Sequence, residues 1–202
     1  RFTFERDGRV LRAFITSDHP VNGVDGPMHD ELARVFTDLQ RDTESDIIVL
    51  AAKGRAFCAG GDFQWFPQQI DDPASFRAIA WDAKRIVSSL LEMEKPILCR
   101  LNGAAAGLGA TIALLCDIIV ADEKAVIGDP HVKVGLVAGT ASRAMSLATT
   151  SPLMIGLAAA GIIRLGIATS RDPSLATTAL PSMATEPTGV VWSSAESGVP
   201  WT

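Results

Sequence analysis

The sequence predicts an α/β fold, and two features of its first 139 residues lead to that prediction. Short runs of apolar, branched residues alternate with longer segments whose apolar residues recur at helical spacing. One such run, Ile47–Ala52, is apolar at every position, which is typical of a strand buried on both faces of a parallel sheet. Strands and helices that alternate in this way need crossover connections, which place helices against the sheet.

The first elements follow from local composition. Residues 10–16 are rich in branched and aromatic residues and predict a strand, whereas residues 28–41 predict a helix with Pro27 in its first turn. A glycine-rich segment, residues 53–62, follows the buried strand, and we expect it to form a loop.

A second set of elements repeats this order. Residues 73–94 predict an amphipathic helix, residues 96–101 a strand, and residues 104–116 a helix of small residues. Ile118–Ala121 and residues 125–127 predict two further short strands. We expect one apolar stripe on the first of these helices, formed by Phe76, Ile79, Ala83, Ile86, Val87, Leu90 and Leu91.

The composition changes after Gly139. From Thr140 onward the chain contains no lysine and is dominated by Ala, Ser, Thr, Gly and Pro. An apolar run at residues 153–168 is short for a membrane span and is interrupted by Arg164, so we expect a buried or amphipathic segment there. We therefore expect residues 1–139 to form the folded core and residues 140–202 to be a divergent, poorly ordered tail.

Composition and charge argue against several classes of protein. A formal net charge of −5 gives no electrostatic reason to bind nucleic acid or an anionic membrane. Cys58, Cys99 and Cys116 lie in apolar runs without C-x-x-C spacing, so we expect buried thiols in a reducing compartment. Because the chain begins with charged residues rather than a signal peptide, we expect a cytoplasmic protein. We find no metal-ligand spacing, nicotinamide-binding fingerprint or phosphate-binding P-loop in the sequence.

Two segments have the composition of ligand-binding loops. Residues 53–62 (KGRAFCAGGD) follow a buried strand, and their backbone N–H groups can donate to a ligand oxygen, although a plain turn is the alternative. Residues 102–117 (NGAAAGLGATIALLCD) open a helix whose first N–H groups suit a developing oxyanion. Tight helix packing is the alternative explanation for these small residues.

Together these segments resemble the paired signature of the enoyl-CoA hydratase/isomerase (crotonase) family, F-C-A-G-G-D followed by N-G-x-A-x-G-x-G and C-D-I-I-V-A-D. A further segment, G-D-P-H-V-K-V-G-L-V-A-G, resembles one branch of that family. The resemblance covers about residues 1–139. It implies a crotonase-like fold of repeated β-β-α units and an acyl-CoA thioester substrate, with coenzyme A present only as part of that substrate.

The resemblance also implies which residues form the site. The backbone N–H groups of Gly61 and Leu108 would hold the thioester carbonyl and stabilise an enolate, each contributing on the order of 3 kcal/mol. Arg55 would meet a phosphate of coenzyme A, with a solvated surface arginine as the alternative. The positions that would line the coenzyme A site are Arg55, Ala56, Ala59, Gly60, Gly61 and Gly107.

The two positions at which family hydratases carry glutamates hold Thr111 and His131 in this chain. Hydration by paired glutamates is therefore not expected, but a histidine can act as acid or base near neutral pH. The branch pattern continues with Asp-Gly-Gly, where this chain has Thr140-Ala141-Ser142 and so lacks that aspartate. Three interpretations stay open: an enzyme of the hydratase/isomerase type, an inactive coenzyme A-binding relative or defective fragment, and a carbon–carbon bond hydrolase that uses His131.

The tail bears on stability and assembly. The family uses C-terminal helices to close the acyl pocket and to pack homotrimers, often paired into hexamers. The tail after Gly139 lacks their pattern, which predicts low stability, weak or absent activity and no such assembly. The abrupt change motivates the hypothesis that the tail is a frame-shifted translation. Translating the DNA around codons 135–145 in all frames tests it, because a shifted frame should restore Asp-Gly-Gly and amphipathic helices.

Overall fold

The computed structural model of the chain describes residues 1–65, residues 72–131 and the backbone of residues 164–167. The helices within these ranges are α1 (Gly26–Arg41), α2 (Pro73–Leu91) and α3 (Leu108–Leu114). The strands in the same ranges are β1 (Phe2–Asp7), β2 (Val10–Ile15), β3 (Ile47–Ala52), β4 (Ala56–Cys58), β5 (Ile97–Leu101), β6 (Ala104–Ala106), β7 (Ile118–Ala121), β8 (Val126–Asp129) and β9 (Arg164–Ile167).

The strands form two sheets, and consecutive strands from β3 to β8 enter them alternately. One sheet has the order β1-β2-β3-β5-β7 and the other the order β4-β6-β8-β9. The hairpin of β1 and β2 is antiparallel, whereas the other strand pairs are parallel. Because α2 follows β4 and α3 follows β6, the chain repeats a β-β-α unit. The predicted α/β fold of β-β-α units is confirmed.

The core is centred on β3, which lies between β2 and β5. Leu50 pairs in register with Ala13 on one side and with Cys99 on the other, and all three are buried. The same apolar cluster contains the buried face of α1, formed by Met28, Leu32, Ala33, Val35, Phe36 and Leu39. Each large apolar side chain buried in this way contributes about 1.5–3 kcal/mol to the hydrophobic stabilisation. Cys58, Cys99 and Cys116 are free and buried, as predicted.

Side-chain caps explain where the two long helices begin. The Asp25 carboxylate accepts a hydrogen bond from the Met28 N–H at 2.9 Å, so α1 begins at Gly26, just before the predicted boundary. Asp72 accepts from the N–H groups of Ala74 and Ser75 at the start of α2. Each cap satisfies backbone donors that have no partner within the helix.

Several predicted elements were wrong. The loop expected at residues 53–62 contains β4, and β1 was not predicted at all. The helix expected at residues 104–116 begins only at Leu108, since Ala104–Ala106 form β6 and pair with β4. Gly107, at φ 52° and ψ −115°, separates the strand from the helix. Three alanines in a row carry no pattern that distinguishes a strand from a helix, so pairing with β4 decides their conformation.

The apolar stripe predicted on α2 is only partly buried. Ile86 and Leu90 pack into the core, but Phe76 and Leu91 are about three-fifths exposed, at 59% and 60%. Helical spacing identified the correct periodicity, but it could not show how far the neighbouring elements extend along the helix.

Most of the predicted tail, residues 140–202, lies outside the described residues. The exception is β9, which pairs in parallel with β8 and lies within the apolar run at residues 153–168. None of the helices in the described ranges combines the length and apolarity needed to cross a bilayer.

His29 is buried on α1, although the sequence offered no reason to place it in the interior. It is 6% exposed, and its ring lies 5.7 Å from the Trp65 ring, centroid to centroid. Burial lowers the pKa of His29 from its usual 6.5, while the charges of Asp82 and Asp30 act in the opposite direction. The folded protein therefore favours neutral His29 more strongly than the unfolded chain does.

This burial predicts a pH-dependent stability. Below pH 6.5 the unfolded chain takes up a proton that folded His29 resists, so the free energy of unfolding falls as the pH falls. His29→Phe keeps a neutral ring and should reduce that fall by up to about 1.4 kcal/mol per pH unit. Urea unfolding at several pH values measures it, with His19→Gln as the control for a histidine at an exposed position. An unchanged pH dependence in His29→Phe would contradict the prediction.

Candidate functional site

The two glycine-rich segments meet at their glycines. Gly60 follows β4 with φ +84°, and a Cβ built on it would lie 2.7 Å from the Ala106 carbonyl oxygen and 3.5 Å from the Leu108 nitrogen. A Cβ on Gly107 would lie 4.0 Å from the Gly60 Cα. The backbone after β4 therefore runs directly against the start of α3, at a separation that only glycine at position 60 permits.

A second close approach explains the small residues within α3. A Cβ on Gly109 would lie 2.1 Å from the Cys58 carbonyl oxygen, which is far inside van der Waals contact. The first turn of α3 thus packs on the β4 backbone itself. Ligand binding and tight helix packing are the two explanations for the small residues of this segment. The structure shows the tight packing of α3 on β4.

The hydrogen bonds around Gly61 fix the direction of its N–H group. Val24 donates from its N–H to the Gly60 carbonyl at 2.8 Å and accepts from the Asp62 N–H at 2.9 Å. The backbone groups on either side of Gly61 that face Val24 are therefore paired. The Gly60 N–H donates to the Cys58 thiol, whose pKa is raised to about 11 chiefly by burial. Within the described part of the chain, the Gly61 N–H has no such acceptor.

Leu108 provides a second unpaired donor on the neighbouring segment. It is the first residue of α3, and the helical bonds begin only with the Thr111 N–H, which donates to the Gly107 carbonyl at 3.0 Å. The Leu108 N–H has no acceptor among the described residues, as expected at the first helical position. Gly61 and Leu108 are both partly exposed, so solvent or a ligand can reach this region.

Asn22 holds the β4 segment in place. Its side-chain amide donates to the carbonyls of Lys53, Ala56 and Phe57 at 2.8, 3.0 and 3.3 Å, and its Oδ1 accepts from the Ser17 N–H at 3.1 Å. Asn22 is 4% exposed and has φ +54°, a conformation that asparagine tolerates better than most residues. The sequence does not single out Asn22, because Asn-Gly at positions 22–23 is only a turn signal.

His131 lies beside the two glycines. It follows β8, and a Cβ built on Gly107 would lie 3.3 Å from the His131 Cε1 and 3.7 Å from its Nε2. The opposite ring nitrogen, Nδ1, is bonded to the Asp129 carboxylate. The structure therefore brings His131, Gly60, Gly107 and Leu108 together, and it directs the Nε2 edge of the ring toward Gly107.

Asp129 supplies a carboxylate to the His131 ring. The branch that the sequence resembles carries an aspartate nine residues after the position of His131, where this chain has Thr140. Instead Asp129, two residues before His131 and 6% exposed, contacts the ring. The Asp-Pro-His triplet already indicates a bond between Asp129 and the His131 backbone, because an aspartate often bonds the backbone two residues onward.

Thr111 has no free hydroxyl to offer. Its side chain is fully buried, and its Oγ1 donates to the Gly107 carbonyl at 3.1 Å within the same helix. Of the two positions that family hydratases use for glutamates, only His131 therefore carries a group able to move a proton.

The remaining predicted coenzyme A positions lie further along the same strands. Ala56 is buried and pairs with Ala104, and the Arg55 carbonyl lies against Gly103, where a Cβ would be 2.3 Å from it. Gly103 and Gly107 are about 13 Å apart along an extended chain at 3.3 Å per residue. The Arg55 side chain is exposed and, among the described residues, makes no ion pair.

Metal ligation has no support in the described residues. Within residues 1–65 and 72–131, no group of three His, Cys, Asp or Glu side chains is close enough to hold a metal ion. The arrangement instead offers one imidazole and two N–H donors that have no acceptor among the described residues.

Comparison with known proteins gives a consistent result. Residues 9–159 match the family model described as enoyl-CoA hydratase/isomerase, so the match continues past Gly139, the predicted end of the resemblance. The chain is 30% identical over 137 residues to a probable mitochondrial enoyl-CoA hydratase of Dictyostelium discoideum, covering 68% of this chain and 48% of the relative. It is 33% identical over 132 residues to 1,2-epoxyphenylacetyl-CoA isomerase of Escherichia coli K12, covering 63% and 50%.

A solved structure shows the same likeness. An enoyl-CoA hydratase/isomerase from Mycobacterium paratuberculosis superimposes with a TM-score of 0.67 at 29% identity, covering 83% of this chain and 72% of that one. The chain spans about half the length of the curated relatives it matches.

The bonds of Asn22 lead to a stability prediction. Asn22→Asp keeps the shape but replaces the donor amide with a carboxylate facing three carbonyl oxygens, so we expect a loss of about 3 kcal/mol or more. Asn102→Asp is the comparison, because Asn102 donates to a single carbonyl, that of Gly54, and its Oδ1 is buried without a partner among the described residues, so it loses one such bond where Asn22 loses three. Chemical unfolding monitored by circular dichroism measures both, and equal losses would contradict the role assigned to Asn22.

Proposed function

The chain belongs to the enoyl-CoA hydratase/isomerase family, and on that premise we propose that it binds an acyl-CoA thioester and stabilises the enolate formed from it. One observation carries the proposal: the N–H groups of Gly61 and Leu108 have no acceptor in the described part of the chain and lie on two segments in backbone contact. Paired backbone donors of this kind suit an oxygen on which negative charge develops.

The chemistry follows from that pair. The thioester carbonyl oxygen accepts both hydrogen bonds, which draws electrons from the adjacent carbon and makes its C–H bond more acidic. When the proton leaves, the charge collects on the oxygen, where the two fixed donors stabilise it by roughly 3 kcal/mol each. Because the donors belong to the backbone, no side chain has to reorganise during the reaction.

We assign the proton transfer to His131. Its Nε2 edge lies against Gly107, and it occupies one of the two positions at which family hydratases carry an acid–base residue. Thr111 occupies the other, and its hydroxyl is committed to the helix backbone. A single base can take a proton from one carbon of an enoyl thioester and return it to another, so we favour double-bond isomerisation over hydration, which needs water activation as well.

The Asp129–His131 pair favours one further candidate. An imidazole held by a carboxylate can activate water, which would then attack a carbonyl and cleave an adjacent carbon–carbon bond. A non-catalytic relative that only binds coenzyme A is the remaining alternative, and Thr111 is consistent with it. Product analysis separates the three: a shifted double bond, two smaller acids or thioesters, or an unchanged substrate that is retained on immobilised coenzyme A.

Arg55 suggests where the nucleotide end of the substrate binds. We propose that the exposed Arg55 meets a phosphate of coenzyme A, which enters only as part of the substrate and is not a separate cofactor. A cytoplasmic location, and the expectation that the tail disfavours the family's trimers or hexamers, stay predictions. Cell fractionation and size-exclusion chromatography with light scattering test these two points.

The donor role of Leu108 can be tested at the backbone. Proline is favoured at the first position of a helix and lacks the N–H group, and Leu108 is the first residue of α3. We expect Leu108→Pro to lower kcat for isomerisation of a 3-enoyl-CoA by about 10²–10³-fold. The matched control is Leu108→Ala, which also shortens the side chain but keeps the N–H group. Equal turnover in the two variants, measured by the absorbance of the conjugated thioester, would exclude this donor.

A further inference from the structure

We propose that Asp129 is a positioning residue that fixes the tautomer and orientation of His131. It holds the ring with the proton on Nδ1 and leaves the Nε2 lone pair directed at the space beside Gly107. The consequence for catalysis rests on the proposed function, whereas the tautomer itself does not.

The position of Asp129 in the sheet makes its carboxylate rigid. It is the last residue of β8, which is hydrogen-bonded to β6 on one side and to β9 on the other. Asp129 pairs with Ile167 of β9, and its neighbour Gly128 pairs with Ala106 of β6. A strand bonded on both sides has little freedom, so the carboxylate has a fixed origin from which to orient a partner.

The bonding of the carboxylate is unusual for a buried charge. Its Oδ1 accepts from the His131 backbone N–H at 3.2 Å and contacts the His131 Nδ1, and within the described residues it has no other partner. Burying an ionised carboxylate costs several kcal/mol unless it is paired and hydrogen-bonded. A carboxylate that served only the packing of β8 would be expected to bond the surrounding backbone rather than one partly exposed ring.

Pro130 completes a three-residue unit. Its ring restricts φ to about −65°, which limits the motion of the chain between Asp129 and His131. The backbone bond from the His131 N–H to Asp129 closes the same turn. Because backbone and ring contacts both end on one oxygen, the imidazole cannot rotate about its bonds without breaking the contact at Nδ1.

Glycine at position 107 keeps the other edge of the ring accessible. A side chain there would begin 3.3 Å from Cε1 and 3.7 Å from Nε2, and it would cover that edge of the ring. In the proposed reaction the substrate C–H bond breaks, its proton goes to Nε2 and its electron pair forms the enolate. The imidazolium keeps its Nδ1–H on Asp129 until Nε2 returns the proton to carbon, so the enzyme ends unchanged.

The tautomer can be measured without any substrate. The chain has three histidines, so ¹⁵N-histidine NMR in alkaline solution resolves each ring, and His131→Gln identifies the signals of that residue. We expect the wild-type His131 to show a protonated Nδ1 and an unprotonated Nε2. A proton on Nε2 instead would overturn the proposal.

Substitution of the carboxylate then tests its role. Asp129→Asn should give a mixed or reversed tautomer and lower kcat by on the order of 10²-fold or more, with KM little changed. Asp122→Asn is the matched control, since Asp122 makes the same bond to a backbone N–H two residues onward, at Lys124, without a histidine. An unchanged tautomer and kcat in Asp129→Asn would contradict the positioning role. If the wild type shows the expected tautomer but no turnover, the proposed function fails while the positioning of His131 stands.

Discussion

The contact between the β4 backbone and the first turn of α3 is the constraint on which the rest of the site depends. The Gly109 Cα lies so close to Cys58 that a Cβ would be 2.1 Å from its carbonyl oxygen, and Gly60 is almost as close to Ala106. Backbone groups at this distance leave no room for side chains, so what they offer to a ligand is their N–H groups. The two donors, which have no acceptor in the described part of the chain, are thus a result of packing, because the same approach that excludes side chains places Gly61 near Leu108.

The buried polar side chains of the described residues differ in the partners of their hydrogen bonds. In the described residues the buried polar side chains are Asn22, His29, Ser45, Thr111 and Asp129. Asn22 and Thr111 bond carbonyls of the chain, and Ser45 bonds Lys95, which also donates to carbonyls at the end of α1. The partners in these bonds are backbone carbonyls and the Lys95 side chain. Asp129 differs, since its partner His131 has a second nitrogen that faces the site.

Local pattern was enough to predict two continuous apolar strands. The strand Ile47–Ala52 is apolar throughout and lies in the middle of a sheet, and its predicted bounds were correct. The bounds of Ile118–Ala121 were also correct, although this strand forms the edge of the same sheet. The family resemblance selected Gly60, Gly107 and His131, which the structure brings together. Pattern failed at Ala104–Ala106, where a partner distant in sequence decides the outcome: they become a strand because β4 lies beside them. Asp129 is close to His131 in sequence, but its contact with the ring depends on the orientation of that ring, which residue spacing does not show.

The strand order of the first sheet has a consequence for synthesis on the ribosome. From β1 to β7 the spatial order repeats the chain order, with the intervening strands diverted to the second sheet. Each strand that emerges adds to an edge already present, so no earlier pair has to open to admit a later one. The distances along the chain are nevertheless long, since Ile48 pairs with Ile97 and Leu98 with Ile118. Closing such loops is slow compared with forming a helix, and the nascent chain therefore exposes the edge of β3 until the next unit has been translated.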